Sequence, residues 1–242
     1  MGRSSVSLRE YEVHNVILPD WAIERGRVQN DVRSIDGRRT AFIAIDMQNV
    51  FMNPDEIFGN PNTLDIIDTV NAGAKAIRDA GGIVIWTRQT TSSEAPLAMP
   101  PWQYDMSIDS VRIAVDAMRP GTRSHAVHDA MDVQPADRVL DKYRYSAFMC
   151  PDNRLRDALA GLDIDTLVIA GTLTNCCCDS TARDGNMMGY RILFLSDATS
   201  TITDAEHNAA LLNVRLMFGD VKRSDELPAL IAAAQPETVV LA

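Results

Sequence analysis

From residue 40 onward, short apolar and β-branched runs alternate with longer stretches in which apolar positions recur every three or four residues. Continuous apolar runs mark buried strands and a period near 3.6 marks helices, so the alternation predicts parallel strands joined by crossover helices. Residues 40–46 are apolar on both faces, as a central parallel strand requires. A helix is expected over 63–80, with Ile66, Ile67, Val70, Ala74 and Ile77 on one face and Gly81-Gly82 at its end. A strand over 83–87 leads into a long loop, 88–107, that carries Pro96, Pro100, Pro101, Trp102 and Tyr104. Further strands are expected over 138–142, 166–171 and 191–195, with a short extended piece near Val221. Helices are expected over 152–162, from the cysteine segment to about 188, and over 204–218 and 224–234. The fold class that results is α/β, a three-layer α/β/α arrangement with a mostly parallel sheet. No linker rich in Gly, Pro or Ser divides residues 40–242, which read as one domain. Residues 1–39 lack this periodicity; with the apolar group Val16-Ile17-Leu18 near Trp21, they read as an arm laid over the domain or over a neighbouring subunit.

Composition narrows the function classes. Thirty-three acidic against 23 basic residues leave a net charge of −10, which repels a phosphate backbone, so neither nucleic acid nor an anionic membrane is an expected partner. No apolar run approaches the roughly 20 residues that cross a bilayer. No secretory signal is read at the N-terminus, and Val6 stands where a myristoylation signal wants Ser or Thr. Of the four cysteines three are consecutive, Cys176, Cys177 and Cys178, a spacing that suits neither a disulfide framework nor a zinc site. A reducing cytoplasm is the expected location.

In a doubly wound sheet, ligands bind beyond the carboxyl ends of the strands. Three features fall there: Asp46 after the first strand, Lys142 at the end of the third, and Gly171-Thr-Leu-Thr-Asn-Cys-Cys-Cys after the fourth. Taken singly, Asp46 reads as a turn former and Lys142 as a solvated strand end. Together they predict a carboxylate, an amine and a thiol gathered where three neighbouring strands run out. A thiol in the first turn of a helix, near an ammonium, is expected to favour its thiolate. Successive helix residues rotate by about 100°, so only one of the three cysteines faces the cleft, and periodicity does not say which. Arg88, just past the second strand, is a candidate partner for a substrate carboxylate. Phe51, Trp86, Trp102 and Tyr104 are candidate walls of an apolar pocket, and Trp86 reads equally well as core. Arg183 is expected to brace its helix. His125 and His128, spaced i, i+3, are expected at most to share a helix face, and His207 to lie at the surface or at a subunit contact.

The segments Ala44-Ile-Asp-Met-Gln-Asn-Val-Phe51, Asp141-Lys-Tyr-Arg-Tyr-Ser-Ala-Phe148 and Ile169-Ala-Gly-Thr-Leu-Thr-Asn-Cys-Cys-Cys-Asp-Ser-Thr-Ala-Arg-Asp184 resemble, in order, the three signature blocks of the cysteine hydrolases of the isochorismatase-like superfamily. The resemblance spans about residues 40–225 and is greatest to ureidoacrylate amidohydrolases and N-carbamoylsarcosine amidase-type members. It implies Cys177 as nucleophile with Asp46 and Lys142, an oxyanion hole from the backbone of Leu173 and Cys177, and a cis peptide bond at Thr172–Leu173. It further implies that Tyr145 and Gln89 lie near the substrate amide or ureido group, although the loop after Trp86 departs from the ureidoacrylate pattern. Cys176 and Cys178 stand where the family usually has apolar residues. The Asp-x-His motif by which nicotinamidases hold a metal is missing, so no metal or cofactor is expected. The implied partner is a small-molecule substrate, and the implied assembly a homo-oligomer, dimer or tetramer. Two other readings compete: vinyl-ether hydrolysis, which needs the aspartate and not the cysteine, and a catalytically silent binding module.

Overall fold

The computed structural model of the protein describes residues 13–234. Six strands form one sheet: β1 (Thr40–Ile45), β2 (Ile83–Gln89), β3 (Arg138–Lys142), β4 (Thr166–Thr172), β5 (Arg191–Ser200) and β6 (Asp220–Lys222). Every pairing is parallel and the order is β3-β2-β1-β4-β5-β6. The chain winds outward in one direction from β1 and in the other from β4, which puts the topological switch point, and the crevice that goes with it, between those two strands.

Side chains alternate across each strand, and both faces are covered. Phe42 and Ala44 of β1 join Val84, Trp86, Val168 and Leu193 under Val70, Ala74 and Ile77 of α3 (Ile67–Asp79), a helix that follows α1 (Asp20–Asn30) and α2 (Asn49–Met52). Ala41, Ile43 and Ile45 face the other way with Ile85, Leu167, Ile169 and Phe194. That face is covered by the helices that come after α4 (Asp109–Ala117), namely α5 (Arg154–Leu159), α6 (Asp179–Met187) and α7 (Asp204–Asn213). The last helix, α8 (Leu227–Ala232), adds Leu227 and Leu230 to the α3 side. No helix among the described residues is long and apolar enough to cross a membrane.

Several boundaries differ from those expected. α4 falls where no element was expected, although Val111, Ala114, Val115 and Met118 keep helical spacing; Val111, Val115 and Met118 pack with Val50 as a small satellite core. β5 continues five residues beyond 195, because after a register shift Thr199 and Ser200 pair with Gly171 and Thr172. That continuation has no apolar pattern to announce it. β2 runs to Gln89, which places Arg88 and Gln89 on the strand itself. The expected helix over 63–80 opens as a 3₁₀ turn, Pro61–Ile66, before α3 begins.

Residues 13–39 lie on this same chain's sheet and helices. Val16 and Leu18 pack against the α5–α7 side, and Val32 and Ile35 enter the α3 core. α1 rests on a wide turn, Val214–Phe218, that continues α7. The approach depends on Gly26, where a Cβ would collide with the Arg215 carbonyl. Arg215 is itself buried, paired with Asp220 and donating to the Ile23 carbonyl. Gly26→Ala is therefore expected to lower unfolding free energy by about 1–3 kcal/mol, the usual range for overpacking a tight contact. A urea midpoint equal to the parent protein's would show that α1 does not rest there.

Candidate active site

Asp46 is the residue at which β1 ends. Its φ of +51° lies in the left-handed region, which Asp tolerates better than most residues, and the turn it makes carries the carboxylate over the sheet edge. Thr87 Oγ1 donates to Asp46 Oδ1 at 2.8 Å, while Gln48 holds β2 in place by accepting from Gln89 N at 2.7 Å and donating to the carbonyls of Gln89 and His125.

Lys142 reaches the same spot from β3, which is separated from β1 by β2. The sequence suggested three neighbouring strands, but the strands that carry the triad are β3, β1 and β4, with β2 between the first two; the long lysine stem crosses the end of β2 to join the others. Its Nζ lies 2.7 Å from Asp46 Oδ2, 2.5 Å from Gln89 Oε1, 3.2 Å from the Arg144 carbonyl and 3.4 Å from Cys177 Sγ. Lys142 is 1% exposed. Burial works against its charge, but the neighbouring Asp46 carboxylate and Cys177 outweigh burial and hold the ammonium above its ordinary range. Asp46 Oδ2 has this ion contact but no aligned hydrogen-bond donor, leaving an acceptor lone pair available.

Cys177 sits in a wide π-helical turn, Thr174–Cys178, that connects β4 to α6. The preceding Thr172–Leu173 peptide bond is cis, as the resemblance implied. Gly171, with φ +112°, lets β4 close on the backbone of Ile45, where a Cβ would collide. The three cysteines part company by rotation. Two of them, Cys176 and Cys177, line the cleft where one was expected, whereas Cys178 is fully buried with its Sγ toward the Ala170 carbonyl. The thiol of Cys177 is pushed well above its ordinary value by its hydrogen bond with Cys176, by burial and by Asp46, with Lys142 pulling the other way. This direction runs against the thiolate expected from the sequence; the Asp46 carboxylate shares the Lys142 ammonium with the sulfur.

The cleft is a cavity of about 280 Å³ whose floor is Cys177, Leu173 and Gln89. Phe51, Phe58, Tyr104 and Tyr145 stand around it, the two tyrosine hydroxyls 3.5 Å apart. A separate hollow of about 500 Å³, beside Asn49, Arg123 and His128, contains none of the triad.

Other candidates fall elsewhere. Arg88 does not reach the cavity: side chains on a strand alternate, and with Gln89 turned inward Arg88 turns away and pairs with Asp141 at 2.7 Å. Trp86 is core, its Nε1 donating to Asp137, and Trp102 is 82% exposed. Arg183 braces α6 by pairing with Asp179 and stacking on Phe218. His125 and His128 lie in a loop rather than on a helix, His125 buried against Thr90.

His207 is not a surface residue; it is fully buried, with Nδ1 2.9 Å from Thr174 Oγ1 at the start of the cysteine turn. His14 of the arm stacks on its ring at 4.3 Å, meets Asp204 at 2.8 Å and accepts from Thr201 N. Only the fold brings these residues together, across some 190 positions of sequence, and no motif signals it. Burial, together with His14, pulls His207 down to about 3. An unfolded chain binds a proton at that residue below about pH 6.5 while the folded chain does not, so stability is lost as pH falls toward 3. Between pH 7 and 5 the loss from this residue is expected to be about 2 kcal/mol. Urea midpoints at the two pH values, compared between the parent and His207→Asn, measure it; an unchanged pH response in the variant contradicts it.

The family profile described as "Isochorismatase domain" matches residues 40–226. The chain belongs to the isochorismatase family. The ureidoacrylate amidohydrolase RutB of Stutzerimonas stutzeri (strain A1501) is 31% identical over 216 residues, covering 83% of this chain and 86% of that protein. Among solved structures, a cysteine hydrolase from Pseudomonas syringae pv. phaseolicola 1448A superposes with a TM-score of 0.72 at 27% identity, covering 83% of this chain and 96% of that one. An N-carbamoylsarcosine amidase from Thermoplasma acidophilum shares the fold, with a TM-score of 0.62 at 24% identity over 78% of this chain and 98% of that one. The isochorismatase-type hydrolase fold expected from the three signature blocks is thus the fold observed. Sequence reasoning passed over Thr87 and Gln48, which hold Asp46 and Gln89 in place; Gln48 stands two residues after Asp46 inside the first block.

Proposed function

We propose that the protein is a cysteine amidohydrolase that cleaves a non-peptide C–N bond of a small ureido, N-carbamoyl or primary-amide substrate through a thioester on Cys177. One observation carries the reading: a single buried ammonium, Lys142 Nζ, touches both the Asp46 carboxylate and the thiol of Cys177, and that thiol lines a cavity. The relative named ureidoacrylate amidohydrolase supports the same class of bond.

Asp46 takes the proton from Cys177, and the sulfur attacks the carbonyl carbon. As the carbonyl π electrons move onto oxygen, the backbone N–H groups of Leu173 and Cys177 receive the developing charge. Lys142 remains an ammonium throughout, balancing whichever of Asp46 and Cys177 is anionic. Asp46 then returns the proton to the leaving nitrogen, the C–N bond breaks, and ammonia or an amine departs. Water attacks the resulting thioester with Asp46 as base, the C–S bond breaks, and the thiol is restored with its proton. The acyl-enzyme is the testable species. Acid quenching during turnover of an amide or ureido substrate is expected to leave an acyl mass on the peptide containing Cys177. Sustained ammonia release without any adduct on that peptide, and with activity surviving its alkylation, would remove the proposal.

A further inference from the structure

Resting on the amidohydrolase reading, we infer that the pocket selects a substrate with an uncharged apolar or aromatic tail, a neutral amide or urea rather than a ureido acid. Among the described residues no Lys, Arg or His lines the cavity. The cations around it are engaged elsewhere. Lys142 is spent on Asp46, Gln89 and Cys177; Arg88 on Asp141; and Arg144 donates to the carbonyls of Pro96, Leu97 and Tyr143. The walls are aromatic and aliphatic instead, with Phe51, Phe58, Met118 and Ile202 facing the space above the thiol. The polar side chains of the lining are uncharged: Gln89 and Thr172 at the base and the hydroxyls of Tyr104 and Tyr145, where burial together with the Tyr145 contact pushes the Tyr104 phenol up, so that it stays uncharged.

Size turns this lining into selectivity. At roughly 30 Å³ for each water-sized group, a cavity of about 280 Å³ holds about nine non-hydrogen atoms. A three-carbon ureido acid is about that size, so its carboxylate is set against the apolar walls and loses part of its hydration. An ionised carboxylate taken out of water without a cation or an array of donors loses far more solvation than the pocket returns. The net charge of −10 adds a repulsive field at longer range. The relative from Stutzerimonas stutzeri is named for an acid, ureidoacrylate; the uncharged lining sets this chain apart from that substrate.

Two matched pairs test this on the full chain: 3-ureidopropionate against n-butylurea, and succinamate against n-pentanamide, each assayed for ammonia. The neutral member of whichever pair is hydrolysed is expected to have a kcat/KM at least about tenfold higher, the effect of an unpaired carboxylate in an apolar site. Ile202→Arg, which brings a guanidinium to the cavity wall, is expected to narrow that ratio by raising the acid's kcat/KM. An acid hydrolysed as well as its neutral partner, or better, overturns the pocket inference and leaves the amidohydrolase reading intact. If none of the four yields ammonia, the amidohydrolase reading fails for these substrates, and thermal shifts of the Cys177→Ala protein decide the pocket separately. Stabilisation by the neutral compounds alone upholds the inference; equal shifts, stabilisation by the acids, or no shift by any of them overturns it.

Discussion

Cys177→Ala is expected to lower kcat/KM for amide hydrolysis by at least about 10³-fold, the order lost when a covalent nucleophile is removed while the binding contacts remain. Neither neighbouring cysteine is placed to substitute for it. Cys178 points into the core beside Ala170, so Cys178→Ala is expected to cost about 1 kcal/mol of stability, for one small buried group, while retaining turnover. Cys176 lines the cavity, but the contact with Lys142 Nζ at 3.4 Å belongs to Cys177. Steady-state ammonia release from the three single alanine variants separates them. Comparable activity in Cys177→Ala and the parent would mean that the sulfur is a packing group and that hydrolysis, if any, follows another route.

Lys142→Met is expected to fall hard in both stability and turnover. The replacement fills much the same space, so the dominant loss is electrical. Asp46 is fully buried and keeps only the hydroxyl of Thr87 once its ammonium partner is gone. Stranding one member of a buried ion pair costs about 3–5 kcal/mol, whereas removing both members together is often close to neutral. Asp46→Asn strands the ammonium in the converse way, since Gln89 Oε1 and the Arg144 carbonyl solvate it without neutralising it. The double variant Asp46→Asn/Lys142→Met is therefore expected to recover most of the stability lost by either single variant while remaining inactive. Urea unfolding of the four proteins closes the cycle. Additive losses, with the double variant least stable, would show that the two side chains are not coupled as a pair.

How much of this was legible in the chain depends on whether the signal was local. β1, β4 and the front half of β5 declared themselves by continuous apolar runs, and α3 by its spacing. Asp46, Lys142 and the cysteine segment were placed at strand ends by the same reading, and the three blocks singled out Cys177. α4 kept a helical pattern that was passed over beside a proline-rich loop. The last five residues of β5, Ser-Asp-Ala-Thr-Ser, carry no pattern at all; they are strand because β4 offers them partners. The fate of Arg88 turned on where β2 stopped, because one residue of strand reverses the face on which a side chain appears.

Local pattern in the chain marked most of the strands and helices and the polar groups that stand at strand ends, because periodicity and chain breaks act over a few residues. Tertiary packing placed β2 between Lys142 and Asp46, set burial and Cys176 against ionisation of the Cys177 thiol, stacked His14 on His207 behind the cysteine turn, and left no Lys, Arg or His among the described residues lining the cavity. Strand order, burial and the rotation of one element against another are set by contacts between residues far apart in the chain. The charge and hydrogen-bonding state of each group in the cleft follows from those contacts.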